Sequence, residues 1–236
     1  MIRNSLTRRI ACAIVLTVAP NLAHAQEVGH EPAKSPYKDL ETTQELTPYA
    51  GWYSARPEPA GVAPRSGALI GVHYGWRVAG PATLISDVFY VNSQRRVIDP
   101  SKGVATRVIS DGSTPLYGIS GGLGLSLPGG KSWHDLVPEA RGALALLSDF
   151  SSKTDPGGFR YGTRFAFVWG AGVRYVAGGR WGLRADWTNY LHTISYPTSF
   201  FVSSADGTTV LPSSTPRSLW RNDPTLSLGV SYLFSR

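Results

Sequence analysis

From Leu46 to the end of the chain, apolar and polar residues alternate with period two, in short runs broken by Gly, Pro and polar clusters. No helical period is sustained along that stretch. The clearest run closes the chain. Leu226, Leu228, Val230, Tyr232 and Phe234 share one face, and Ser227, Gly229, Ser231 and Leu233 share the other. Trp181 to His192 repeats the arrangement. Trp181, Leu183, Ala185, Trp187 and Leu191 lie on one face, with Asn189 as the exception, and Arg184, Asp186, Thr188, Tyr190 and His192 lie on the other. Phe165 to Tyr175 does the same, setting Phe165, Phe167, Trp169, Ala171, Val173 and Tyr175 against Arg164, Ala166, Val168, Gly170, Gly172 and Arg174.

The sense of the alternation decides the class. In a soluble sandwich or barrel the large apolar side chains point into a core, and the opposite face is solvated and rich in charge. Here the second face is Gly, Ser, Ala and a few charges, too small and neutral for a solvated face. The pattern therefore predicts an inside-out arrangement, with apolar and aromatic residues toward lipid and small or polar residues filling a narrow lumen. Weaker strands fall near Pro48–Tyr53, of ambiguous facing, and near Ala68–Trp76, Thr83–Val91, Tyr117–Leu127 and Leu136–Leu146. In the Thr83–Val91 strand, Ile85 and Phe89 share the inner parity with Asp87 and spoil the alternation. The expected fold is all-β: an eight-stranded antiparallel up-and-down transmembrane β-barrel.

Connection lengths give an independent signal. Short links at 78–81, 128–130 and 177–179 alternate with long ones at 54–67, 92–116, 147–162 and 193–223. That rhythm predicts periplasmic turns, extracellular loops and both termini in the periplasm. Opposed residues share a face, so the hairpin around Gly178 is expected to pair Tyr175 with Trp181 across a three-residue turn. Gly172 would then oppose Arg184, and Gly170 would oppose Asp186.

The start of the chain reads as a secretory signal. Arg3, Arg8 and Arg9 precede an apolar stretch from Ile10 to Ala19, too short to span a membrane, and Ala23-His24-Ala25 is a small-x-small cleavage site. Segment 1–25 is thus expected to be removed, 26–45 to be a flexible periplasmic leader with Pro32 and Pro36, and 46–236 to form the barrel. Cleavage removes Cys12, the only cysteine, and with it disulfides, thiol nucleophiles and thiolate metal sites. It also removes three arginines and no acid, lowering the net charge from +7 to +4. The remaining basic residues form no block, so no nucleic-acid partner is expected.

Candidate chemistry is sparse. Glu139, Arg141, Arg174, Arg184 and Asp186 are inward charges on three consecutive strands. An eight-stranded barrel is just wide enough for side chains to fill, so these charges are expected to pair into a network that closes the lumen. A gate or ion path is the alternative use of the same residues. Trp76, Tyr175, Trp181 and Trp187, placed toward strand ends, are expected in aromatic girdles at the lipid interfaces. A hydrolase needs a nucleophile, base and acid that converge. His192 and Ser195 lie on opposite strand faces, and Asp186 is six residues deeper than His192. No metal-ligand spacing or phosphate-cradling loop appears, and no cofactor, metal or catalytic residue is expected.

The segment FAFVWGAGVRYVAGGRWGLRADW, Phe165 to Trp187, resembles the penultimate hairpin of OmpA-like and opacity-type outer-membrane barrels. The closing LSLGVSYLF resembles the C-terminal signal read by the barrel-assembly machinery, matched at Leu226, Leu228, Val230, Tyr232 and Phe234. Ser235-Arg236 after the aromatic departs from that pattern. The resemblance implies export through a cleaved signal, periplasmic chaperones and the assembly machinery during biogenesis, and location in the outer membrane of a Gram-negative bacterium among its lipids and lipopolysaccharide. It carries no activity. The histidine-x-serine motif of lipid A deacylase barrels is absent, since Thr193-Ile194 follow His192. The leading expectation is a structural or surface-interaction barrel with a host or surface ligand at its loops, above all 193–223. A narrow channel and a lipid A-modifying enzyme are the alternatives.

Overall fold

The computed structural model describes residues 35–151, 153–176 and 178–235. The signal segment 1–25, with Cys12, lies outside them, as do leader residues 26–34. Among the described residues twelve strands run in order: β1 (Tyr37–Asp39), β2 (Gln44–Tyr53), β3 (Gly67–Ala79), β4 (Ala82–Asn92), β5 (Gln94–Ile98), β6 (Val108–Ser113), β7 (Leu116–Ser126), β8 (Lys131–Trp133), β9 (Leu136–Ser148), β10 (Thr163–Tyr175), β11 (Trp181–Ser195) and β12 (Ser218–Phe234). Eight of these make the wall. Each pairs antiparallel with its neighbours in the order β2-β3-β4-β7-β9-β10-β11-β12, and β12 returns to β2. The sheet is closed and leaves no free edge.

The outside of this wall is apolar. Ile70, Val72 and Trp76 on β3, Leu84 and Val88 on β4, Ile119, Leu123 and Leu125 on β7, and Leu144 and Leu146 on β9 stand exposed in rows. Phe165, Phe167 and Trp169 on β10, Leu183 and Trp187 on β11, and Leu226, Leu228 and Val230 on β12 continue the rows around the barrel. A continuous apolar belt is unstable in water and matches the lipid-facing surface of a membrane barrel. Asn189, the exception in its row, is buried on this outer face and accepts a hydrogen bond from Asn222 Nδ2 at 3.1 Å. The pair interrupts the apolar rows of β11 and β12, between Trp187 and Leu191 on one strand and between Leu226 and Trp220 on the other.

The lumen is filled rather than open. Val137 and Leu233 are buried at the end nearest the short turns, charged side chains occupy the layers above them, and Leu69, Phe89, Val168 and Tyr190 lie higher. Phe89 explains the broken alternation of β4. Its ring turns inward onto Gly118, where a Cβ would overlap it, and packs 5.2 Å from Tyr190.

Several details differ from the sequence expectations. Residues 37–45 are not a featureless leader: β1 pairs with β8, and Gln44 and Glu45 already belong to the barrel wall. The long link 92–116 contains the β5–β6 hairpin. Residues 218–223 extend β12 rather than belonging to a loop, because Arg221 and Asp223 keep the inward parity of a strand that rises past the apolar belt. In the β10–β11 hairpin, Tyr175 pairs with Leu183, not Trp181. A slip of two residues keeps every side chain on its face, so alternation does not distinguish the two registers. The Val176 amide bonds to Asp135 O, which diverts the chain after Tyr175 toward the neighbouring turn. Gly172 consequently faces Asp186, Gly170 faces Thr188, and Arg174 faces Arg184.

Gly118→Val should drive a side chain into the Phe89 ring and cost about 1–3 kcal/mol. A lowered urea midpoint in lipid vesicles, with the folded gel band retained at low urea, is the expected result.

Candidate functional site

The lower lumen is built from alternate residues of all eight wall strands, Ser231 coming from β12. Glu45 and Thr47 come from β2, His73 from β3, Asp87 from β4, Ser120 from β7, Glu139 and Arg141 from β9, Arg174 from β10, and Arg184 and Asp186 from β11. Arg184 is the hub. Its Nη1 meets Glu45 at 3.1 Å, its Nη2 meets Glu139 at 2.7 Å, and its Nε meets Asp186 at 2.8 Å. Arg174 binds Glu45 and lies 3.5 Å from Glu139, and Arg141 binds Asp186 at 2.5 Å and lies 3.9 Å from Asp87. His73 Nδ1 donates to Asp87 at 2.9 Å, and Ser120 donates to its other oxygen at 3.2 Å. Thr47 and Ser231 donate to Glu45. Three guanidiniums therefore face four carboxylates, and hydroxyls and an imidazole add donors to Glu45 and Asp87.

All five residues expected to form a lumen network sit in this cluster. Glu45, Asp87 and His73 belong to it as well. Glu45 stands two residues before Thr47, so its inward parity is readable from the first strand once that strand is begun at Gln44. Gly172 makes room for Asp186, since a Cβ there would overlap the carboxylate. A void of about 10 Å³ lies between Tyr49, Asp87, Arg141, Asp186 and Tyr190, space on the order of one water.

Higher up, His192 Nε2 lies 3.4 Å from the Tyr161 hydroxyl and 3.8 Å from Asp223. Asp223 also accepts from Tyr53 at 2.6 Å and from Arg221 at 3.2 Å. His192 is buried, and Ser195 is exposed. The structure brings neither Ser195 nor Asp186 to His192.

Above the barrel the described residues of the four long connections, 54–66, 93–115, 149–162 and 196–217, fold over the mouth. Val62, Ile98, Phe159, Tyr161, Phe200 and Leu211 are almost fully buried and extend one hydrophobic core from the upper lumen into the loops. Arg95 and Asp155 form a bidentate buried pair at 2.6 and 2.7 Å, tying the second connection to the third. Tyr196 donates to Glu58, tying the fourth to the first. Burial and that carboxylate push the Tyr196 phenol well above its ordinary range. Asp206 accepts from Ser204, from the Thr208 hydroxyl and amide, and from the Val104 amide, which latches the fourth connection to the second. These hydrogen bonds hold the Asp206 carboxyl well below the usual carboxylate range. Sequence reading finds none of this cap, because its apolar residues are scattered among Gly, Pro and Ser without a period.

The expected girdle and assembly residues lie on the outer face. Trp76, Tyr175 and Trp181 stand at the ends of their strands nearest the short turns. Trp181 packs edge-on against Tyr232 at 5.1 Å, and Tyr232 stacks on Phe234 at 5.9 Å. Trp187 sits midway along β11, edge-on to Trp169 at 5.1 Å, at the upper edge of that strand's apolar run.

No protein-family model matches this chain, and no curated protein matches it. The resemblance to OmpA-like and opacity-type barrels therefore rests on the residues that suggest it. Among solved structures, the chain is similar to the outer membrane protein OprG from Pseudomonas aeruginosa, at 12% identity and a TM-score of 0.47, over 84% of this chain and 99% of that one. It is also similar to Neisserial surface protein A, at 13% identity and a TM-score of 0.46, over 85% and 98% of the two chains. The attachment invasion locus protein Ail of Yersinia pestis is similar at 14% identity and a TM-score of 0.39, over 83% and 100%. Likeness at such identity carries no side chain of the lumen or the cap from one protein to another.

Removing the hub leaves three carboxylates short of a partner. Arg184→Met should destabilise the barrel by about 3–5 kcal/mol. The control Arg180→Met, at an exposed position, should stay within about 0.5 kcal/mol. Both are read by denaturant unfolding in lipid vesicles.

Proposed function

We propose that this protein is a closed outer-membrane barrel of a Gram-negative bacterium that presents its packed loop cap to the outside, with a structural and surface-interaction role and no enzymatic activity of its own. The observation that carries this reading is the cap. Loops that only connect strands have no need of a shared core, yet these bury Phe159, Phe200 and Leu211 together and add the Arg95–Asp155 pair. Rigid loops on a rigid barrel hold a recognition surface in one conformation and lower the ordering cost of binding.

The same reading gives each part a partner. The belt contacts outer-membrane lipid and the acyl chains of lipopolysaccharide, and the cap stands at the height of its sugars. The alternating face that ends on Phe234 is offered to the barrel-assembly machinery after chaperoned transit of the periplasm. A host or surface ligand would meet the cap. Conduction is not favoured, because an ion would have to part the contacts of Arg184 with Glu45, Glu139 and Asp186 to pass.

With the signal removed, the chain has no cysteine, so single cysteines report topology cleanly. Ser213→Cys, in the fourth connection, should react with a membrane-impermeant maleimide on intact cells. Lys131→Cys, at the opposite end, should react only after the outer membrane is permeabilised. The reverse order, or stepwise conductance of the purified protein in planar bilayers, would contradict the proposal.

A further inference from the structure

Within the cap, one pocket has the makings of an anion site. It has a volume of about 460 Å³ and is walled by Arg56, Arg65, Arg221, Glu58 and the small residues Gly61 and Ala63, among others. That size lies within the range of small-ligand sites. Three arginines line it against one carboxylate, and that carboxylate is occupied by amides of its own loop and a hydroxyl of the fourth. Glu58 accepts from the Ala60 amide at 2.8 Å, from the Ala63 amide at 3.1 Å and from the Tyr196 hydroxyl. Among the described residues it forms no ion pair with any of the three arginines, whose pairs are Arg65 with Asp111 and Arg221 with Asp223.

The arginines differ in how far they are satisfied. Arg221 is the floor. Its side chain is 5% exposed, Nη2 meets Asp223 at 3.2 Å, and its buried Nε has no hydrogen-bond partner among the described residues. A buried, unpartnered guanidinium N–H costs free energy, so this arginine is incompletely satisfied at the wall of the pocket. Arg56 is anchored by its backbone, whose amide donates to Asp223 at 3.0 Å, while its side chain forms no ion pair among the described residues. Arg65 is half exposed and shares Asp111 with Arg96, at 3.2 and 3.6 Å, so one carboxylate serves two cations there. Asp223 thus holds both Arg221 and the Arg56 backbone in place from behind, and the strand ends carry the site.

We infer that this pocket binds a phosphate group carried on a saccharide. Arginine forks match the oxygens of phosphate. Converging cations suit a dianion better than a single carboxylate, and the pocket leaves room for a sugar beside the phosphate. The inference rests on the proposal that the cap faces outward, where the phosphorylated sugars of lipopolysaccharide and soluble sugar phosphates are the two sources of that chemistry.

The test uses the full mature chain in dodecyl maltoside, a detergent without phosphate, and isothermal titration calorimetry. Glucose 1-phosphate should bind and glucose should not. Arg56→Gln, at an exposed position, should weaken glucose 1-phosphate about tenfold or more, and the Arg56→Gln/Arg65→Gln pair should abolish binding while heat-modifiability on gels stays unchanged. Affinity should fall as salt rises. If lipopolysaccharide competes and loses that ability when its phosphates are removed with hydrofluoric acid, the source is the lipid; if glucose 1-phosphate binds and lipopolysaccharide does not compete, it is soluble. Absence of glucose 1-phosphate binding, or equal binding by the folded double variant, overturns the inference. A cap that labels from outside but binds no phosphate would refute the site alone, whereas failed labelling of Ser213→Cys would refute the outward cap.

Discussion

An eight-stranded barrel leaves little room for water to solvate charges in its lumen, and this chain places seven charged side chains in the lower half of that space. Everything else in the architecture is consistent with their mutual compensation. Arg184 contacts three carboxylates, Arg174 two and Arg141 two, so no acid of the cluster lacks a cation within 4 Å. His73 reaches the Asp87 oxygen that Arg141 leaves open, and Thr47, Ser231 and Ser120 add hydrogen bonds to oxygens that already face an arginine. Buried ions of this kind add little net stability over an apolar core, but losing one partner is costly. The cluster therefore acts as a specification of closure: the strands must meet in one register for the charges to meet at all.

The two ends of the barrel solve different problems. At the end nearest the short turns, Val137 and Leu233 cover the network, and the aromatics Trp181, Tyr232 and Phe234 form a contiguous outer ledge. At the loop end, an apolar core spans the upper lumen and the cap, so loops and barrel are one packed unit there. The pocket of Arg56, Arg65 and Arg221 sits on that unit and inherits its rigidity through Asp223, a strand residue.

Much of the fold is legible in the sequence, and the reasons are physical. Strand faces obey a period of two that lipid enforces on one side and lumen size on the other, so the rows through Leu226, Trp181 and Phe165 are plain. Register is less legible. A slip of two preserves parity, and the pairing of Gly172 with Asp186 rather than Arg184 depends on the Val176 amide finding Asp135. Glu45 hides because the residues before it are polar, and Arg221 and Asp223 hide beside Pro224, where turn chemistry and a solvated strand read alike. The cap is the least legible part. Phe159 on the third connection meets Phe200 and Leu211 on the fourth only through tertiary contacts, which no local pattern encodes.

The central claim is that the lumen charges stabilise the barrel as a coupled set. A double-mutant cycle on Glu45→Gln and Arg184→Met, with unfolding free energies measured in lipid vesicles, tests it most directly. The account predicts that the double variant loses less than the two single losses added together, by more than about 1 kcal/mol. Losses that add within about 0.5 kcal/mol would contradict it.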